Sequence, residues 1–164
     1  MTRRTVFVLW ISLTVAVPVF AQAPAGAKMK AAPKNASAPI FKPAADLKWT
    51  DLDPNGAPGV KIADLWGDHT KGAFGAFLKL PAGFAAPLHT HTYDMKVVFL
   101  SGTYIQAPAG KAEVRLGPGS YMLQPGGNYQ HTTSCDKSAD CVFFVESNGP
   151  FDLKPVAAGT APKK

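Results

Sequence analysis

Three of the four histidines in this chain, His89, His91 and His131, lie in two glycine-framed stretches whose spacing could build a metal site. The first reads Gly83-x5-His89-x-His91-x3-Met95-x6-Gly102, and the second Gly119-x5-Pro125-x-Gly127-x3-His131. Side chains alternate along a strand, so His-x-His aims both imidazoles at one face. A third imidazole from a distant strand then closes a facial set of nitrogens. Such a set with an open position suits zinc or non-haem iron(II). If residues 89–95 form one regular strand, parity brings Met95 to the same face, and a thioether beside three histidines suits copper. On that reading Lys96 points outward, and Asp94 reaches the site only through a bulge. A lone histidine would be read as packing in a core; three at these positions are read as ligands.

The elements that position them are short. Beyond residue 46, Gly or Pro recurs every few residues and leaves no window for a long helix. Between the breaks lie β-prone runs: VKIADLW, AFGAFLKL, MKVVFLSG, TYIQA, AEVRL, SYMLQ, YQHTTS and CVFFVES. Short strands with frequent turns predict an all-β sandwich or barrel, drawn here as an antiparallel meander turning at Ser101-Gly102. The continuous apolar runs at 77–78, 97–100 and 142–145 predict strands buried on both faces or at a dimer interface. Tyr93, Tyr104, Tyr121, Gln124 and Gln130 are candidates to line the barrel mouth and orient a ligand. As a group they are more ordinarily half-buried wall residues.

The two histidine stretches resemble the two motifs of the cupin superfamily, in order and almost in spacing. PAGFAAPLHTH carries the first motif, with Gly83, His89, His91 and Gly102. GPGSYMLQPGGNYQH carries the second, with Gly119, Pro125, Gly127 and His131, and has one extra residue before the histidine. The resemblance covers most of residues 60–148; more narrowly, and more weakly, the lead LWGD…GAFGAFLKLPAG and the tail FVESNGPFDL resemble a subgroup of exported or sensor-type cupins of unassigned activity. It implies a single jelly-roll β-barrel, a divalent transition metal (zinc, iron or copper) and a small-molecule ligand, with a homodimer by analogy. It also exposes a departure. The family's glutamate position is occupied by Met95, which argues against a hard ion such as manganese. Two functions follow from it. One is a metal-dependent oxygenase- or isomerase-like enzyme acting on a small organic molecule. The other is a module that binds or senses a metal or small ligand without turnover.

The remaining sequence bounds these readings. Residues 1–21 are expected to be a secretory signal peptide, with Arg3 and Arg4 ahead of an apolar run and Val19-Phe20-Ala21 at the cleavage point. Residues 22–45 are Ala/Pro/Lys-rich without acids and are expected to form a disordered linker. The barrel is expected over 46–156, with 157–164 as a disordered tail. The chain therefore predicts a periplasmic or secreted protein with no stable membrane span. The net charge of +6 arises ahead of the domain; from residue 46 onward, 11 basic residues meet 11 acidic ones, which leaves no basic patch for nucleic acid. Cys135 and Cys141 are expected to pair as a disulfide across a hairpin turn. His69 is expected at the surface. Asp51-x-Asp53-x-Asn55-Gly56 is read as a turn, since it lacks the later glutamate of a calcium loop.

Overall fold

The structure is a computed structural model that describes residues 38–157; the expected signal peptide, most of the linker and most of the tail lie outside the described residues. The chain divides into two units, Met1–Pro39 and Ile40–Lys164. The second unit carries all the regular structure described. It begins with the short 3-10 turn Ala44–Asp46, and among the described residues no helix is long and apolar enough to cross a membrane.

Eleven strands follow: β1 (Thr50–Asp53), β2 (Ala57–Gly67), β3 (Phe74–Leu80), β4 (Ala85–Thr90), β5 (Met95–Ser101), β6 (Tyr104–Pro108), β7 (Val114–Leu116), β8 (Tyr121–Gln124), β9 (His131–Cys135), β10 (Cys141–Ser147) and β11 (Lys154–Pro155). They form two antiparallel sheets, a six-stranded one in the order β1-β2-β3-β10-β5-β8 and a five-stranded one in the order β11-β4-β9-β6-β7. This is the jelly roll of a cupin, with two sheets enclosing one core.

The expected meander is corrected by this order. Only β1–β2, β2–β3 and β6–β7 pair with their neighbours in sequence; from β3 onward most connections cross between sheets. The turn at Ser101-Gly102 is one such corner, since β5 and β6 belong to different sheets. Gly102 is required there because its φ is +70° and a Cβ would stand 2.5 Å from the Asp140 carbonyl oxygen. The disulfide Cys135–Cys141 forms as expected, with Cα atoms 5.9 Å apart. It does not join hairpin partners, because β9 and β10 lie in opposite sheets. It ties the two sheets together at that loop.

The apolar runs, expected to be buried on both faces or at a dimer interface, alternate within the single chain, which corrects the first of these alternatives. In β5, Val97 and Phe99 are buried, while Val98 and Leu100 are 38% and 46% exposed. In β10 every second residue from Cys141 to Ser147 is buried. A continuous apolar run therefore does not prove two-sided burial; the pleat still sends alternate side chains outward. The inward set packs Ile62, Phe74, Leu78, Val97, Phe99, Phe143 and Val145 between the sheets. Phe99, Tyr104 and Phe143 form its aromatic centre, with ring centroids 4.9 and 5.6 Å apart.

Candidate metal centre

The two motifs meet through their loops. β4 ends at Thr90, so His91 stands just past the strand, and β5 starts at Met95 in the other sheet. The single regular strand expected over 89–95 does not exist, and the strand-parity argument for Met95 fails with it. What brings the pieces together is backbone contact. Gly127 N–H donates to the His91 carbonyl at 2.8 Å, and Gly126 N–H donates to Asp94 Oδ1 at 2.7 Å. The approach is so close that a Cβ on Gly126 would lie 2.4 Å from the Thr92 carbonyl oxygen. His89 and His131 are direct cross-strand partners on β4 and β9, just beyond an irregularity in the ladder between Ala86 and His89. Pro87 sits inside that irregularity, where its missing N–H costs no ladder bond.

All three histidines are buried, and their ligand atoms lie within 4.8 Å of one another. Ring centroids are separated by 4.3 Å (His89–His131), 5.0 Å (His89–His91) and 5.4 Å (His91–His131). Each ring commits the same nitrogen to a main-chain carbonyl. His89 Nδ1–H donates to Pro87 O at 2.6 Å, His131 Nδ1–H to Tyr129 O at 3.2 Å, and His91 Nδ1–H to Asp152 O. A carbonyl oxygen only accepts, so each Nδ1 carries the proton and each Nε2 keeps its lone pair. This is the arrangement that orients metal-binding histidines and makes them better donors. Burial also keeps the rings neutral. It lowers the pKa of His89 and of His91, and it takes His131 down to about 4, helped by the neighbouring His89.

The remaining candidates are distributed as follows. Met95 is buried and lines the same cavity as His89 and His91. Asp94 is exposed and turned to Gly126, away from the site. Lys96 points outward, as expected, and pairs with Glu146 at 3.0 Å. Gln124 is buried at 1% exposure, lines the cavity and places its amide Nε2 3.2 Å from His131 Nδ1, with Oε1 left without a protein partner. Tyr104 is buried in a closed network, its hydroxyl meeting Gln106 Oε1 at 3.1 Å and Thr133 Oγ1 at 3.0 Å. That burial raises its pKa to about 12, so it stays neutral. Tyr93 and Tyr121 are exposed at the surface. Gln130 lies outside the residues lining the cavity.

His69, expected at the surface, is held in contacts there. It is half-buried, 2.9 Å from Asp64, and its ring meets Phe74 edge-on. Asp53 Oδ1 accepts from the N–H groups of Asn55 and Gly56, so the stretch read as a turn is one.

The C-terminal segment was missed by the sequence reading. Besides the Asp152 carbonyl on His91, Phe151 packs its ring 5.5 Å from that imidazole. The Asp152 carboxylate accepts from Thr92 N at 2.7 Å and from Thr92 Oγ1, clasping the loop that carries His91. No residue pattern announces such a role, because the contact to His91 is made by a main-chain oxygen.

The cavity between the sheets measures about 70 Å³, enough for several waters or a compact organic molecule. Its wall is apolar. Beyond His89 and His91, polar side chains enter it only from Tyr104, Gln124 and Thr133, and none of the lining residues is Asp, Glu, Lys or Arg.

Solved structures share this architecture. The polyketide cyclase RemF from Streptomyces resistomycificus aligns with a TM-score of 0.60 at 18% identity, covering 75% of this chain and 90% of that one. A cupin-2 domain, Rru_A2000 from Rhodospirillum rubrum, aligns at 0.56 and 14% identity, covering 75% and 82%. The DMSP lyase DddQ from Ruegeria pomeroyi aligns at 0.52 and 21% identity, covering 73% and 64%. At these identities the likeness shows the cupin fold. No curated protein matches the chain. A family profile described as a domain of unknown function, DUF4437, matches residues 20–161. The chain therefore belongs to the DUF4437 family, which here takes the form of a cupin barrel.

Proposed function

We propose that this is an exported metalloprotein in which His89, His91 and His131 hold one divalent transition metal and a small organic molecule is transformed beside it. The observation that carries the reading is the uniform commitment of the three Nδ1 atoms to main-chain carbonyls, which leaves three Nε2 lone pairs on buried, neutral, clustered rings. Zinc, iron or copper would fit such a donor set, and the bound ion would supply Lewis acidity or redox capacity. Met95 would offer a soft fourth donor only to copper. The protein's own part is to fix the rings, to shed water from an apolar cavity and to orient the ligand through Gln124. Export is supported by the N-terminal sequence and by the disulfide, a bond typical of oxidising compartments. Similarity in fold to a polyketide cyclase and a DMSP lyase supports an enzyme in general and neither activity in particular.

A second reading, a binding or sensing module without turnover, is favoured by one observation. No carboxylate lines the cavity, so no side chain stands ready as a strong general base.

The test is elemental analysis of the mature protein purified without chelator, beside a His89→Ala/His91→Ala double variant. About one metal per chain in the wild type and none in the variant is the expected result. No metal in either after reconstitution with zinc, iron and copper would overturn the proposal. Metal-dependent turnover abolished by His131→Ala separates the enzyme from the binding module.

A further inference from the structure

Three neutral imidazoles and a thioether bring no negative charge to the site. A divalent ion held there faces an enclosure with no acidic side chain in its wall. An uncompensated charge in an apolar interior is costly. The two nearby carboxylates are spent elsewhere: Asp94 on the Gly126 N–H, and Asp152 on Thr92 and Lys154. Compensation has to arrive with the ligand.

The wall also defines the rest of that ligand. Leu78, Leu80, Val97, Phe143 and Val145 present only hydrocarbon. The Tyr104 and Thr133 hydroxyls are occupied with each other and with Gln106, so they have little to offer.

Gln124 alone among the lining side chains has a buried amide atom without a protein partner. Its orientation follows from His131. As placed, Gln124 Nε2 stands 3.2 Å from His131 Nδ1 and Oε1 is the unpartnered atom. With His131 Nδ1–H donating to Tyr129 O, that placement sets an N–H against an N–H, and exchanging the two amide atoms puts the acceptor Oε1 beside Nδ1 instead. Amide oxygen and nitrogen are assigned from such networks, not seen directly. The NH2 is then the unpartnered end, a donor at the cavity.

Given a metal on the three histidines, as proposed above, we infer that the cavity takes an apolar organic monoanion. Its single ionised oxygen (carboxylate, phenolate or enolate) supplies the charge that the family's glutamate would have supplied and accepts a hydrogen bond from the Gln124 amide. Cations, zwitterions and polyhydroxylated molecules find no partner in this wall.

The test uses the mature protein loaded with cobalt(II), whose visible bands report on its ligands, and titrates matched probes: isobutyrate against isobutyramide, and benzoate against benzamide. Calorimetry should show each anion binding about tenfold or more tighter than its amide, as expected for an ion pair in a site of low polarity. The anions should shift the cobalt bands, and the preference should vanish in metal-free protein. Met95→Glu places a carboxylate in the same cavity and should keep the metal while losing the anion preference. Gln124→Glu, from the residue paired with Met95 across β5 and β8, supplies the same charge should the first variant not fold. Equal affinity for anion and amide in metal-loaded wild type, failure of both anions to bind, or an anion preference that survives the added glutamate would overturn the inference. Failure of the wild type to hold any metal would instead overturn the metal reading, and metal content measured on the same samples separates the two.

Discussion

The two sheets that face each other across the barrel are built differently. The six-stranded sheet buries Val60, Ile62, Phe74, Ala76, Leu78, Met95, Val97, Phe99, Phe143 and Val145, with Gln124 and Ser147 as its buried polar side chains. The five-stranded sheet turns inward His89, His131, Gln106, Thr133 and Tyr104. One wall is mainly hydrocarbon and drives folding; the other holds most of the buried nitrogens and hydroxyls, nearly all of them hydrogen-bonded. The contrast shows how a small barrel can afford a polar site: most buried polar atoms of the five-stranded sheet are satisfied by that sheet and by loops, with Gln124 reaching His131 from the other sheet, while the opposite wall supplies most of the hydrophobic free energy.

The contrast can be broken from either side. The largest loss of stability should follow Phe99→Ala in the apolar wall, about 3–5 kcal/mol by urea denaturation, because the cavity left among Tyr104 and Phe143 cannot collapse. His131→Ala in the polar wall should cost metal-free protein much less, and a loss equal to that of Phe99→Ala would end the division of labour. Next comes the tie between the sheets. Replacing both Cys135 and Cys141 with Ser should cost about 2 kcal/mol, the loop-closure entropy of a short disulfide loop, measured under oxidising conditions.

A pH titration sharpens the polar side. The folded state holds His131 at about 4, below its ordinary value of 6.5, and lowers His89 and His91 in the same direction. The unfolded chain then binds more protons than the folded one between those values. Stability of metal-free protein should be full above about pH 6.5 and fall as pH drops toward 4, and His131→Ala should flatten that slope in thermal melts. The smallest effect should come from the outer face, where Lys96→Ala removes an exposed pair with Glu146 and should change stability by less than about 1 kcal/mol.

Much of the candidate site was legible because its three histidines are polar residues at a fixed spacing between glycines. His89, His91 and His131 converge, and Gln124, read only as a wall residue able to orient a ligand, stands at the cavity. Other readings failed where a local rule was stretched over a break in the fold. Parity was carried through residues 91–94, but the chain changes sheets there, so Met95 reaches the cavity from a different strand than the one assumed. The apolar runs in β5 and β10 looked doubly buried because composition cannot distinguish an outward Val98 from an inward Val97. Asp152 was invisible because its contribution to His91 is a carbonyl that every residue possesses.

By itself, the sequence determined the all-β class, the cysteine pair, the three histidines and the absence of the usual glutamate. These are matters of residue type and near-neighbour spacing, which local sterics and ligand chemistry translate directly. Tertiary structure alone decided which strands share a sheet, which nitrogen of each ring is left free, and that no carboxylate enters the cavity. Those depend on contacts between residues far apart in the chain, such as Gly127 with His91 and Asp152 with Thr92, and no local preference encodes them.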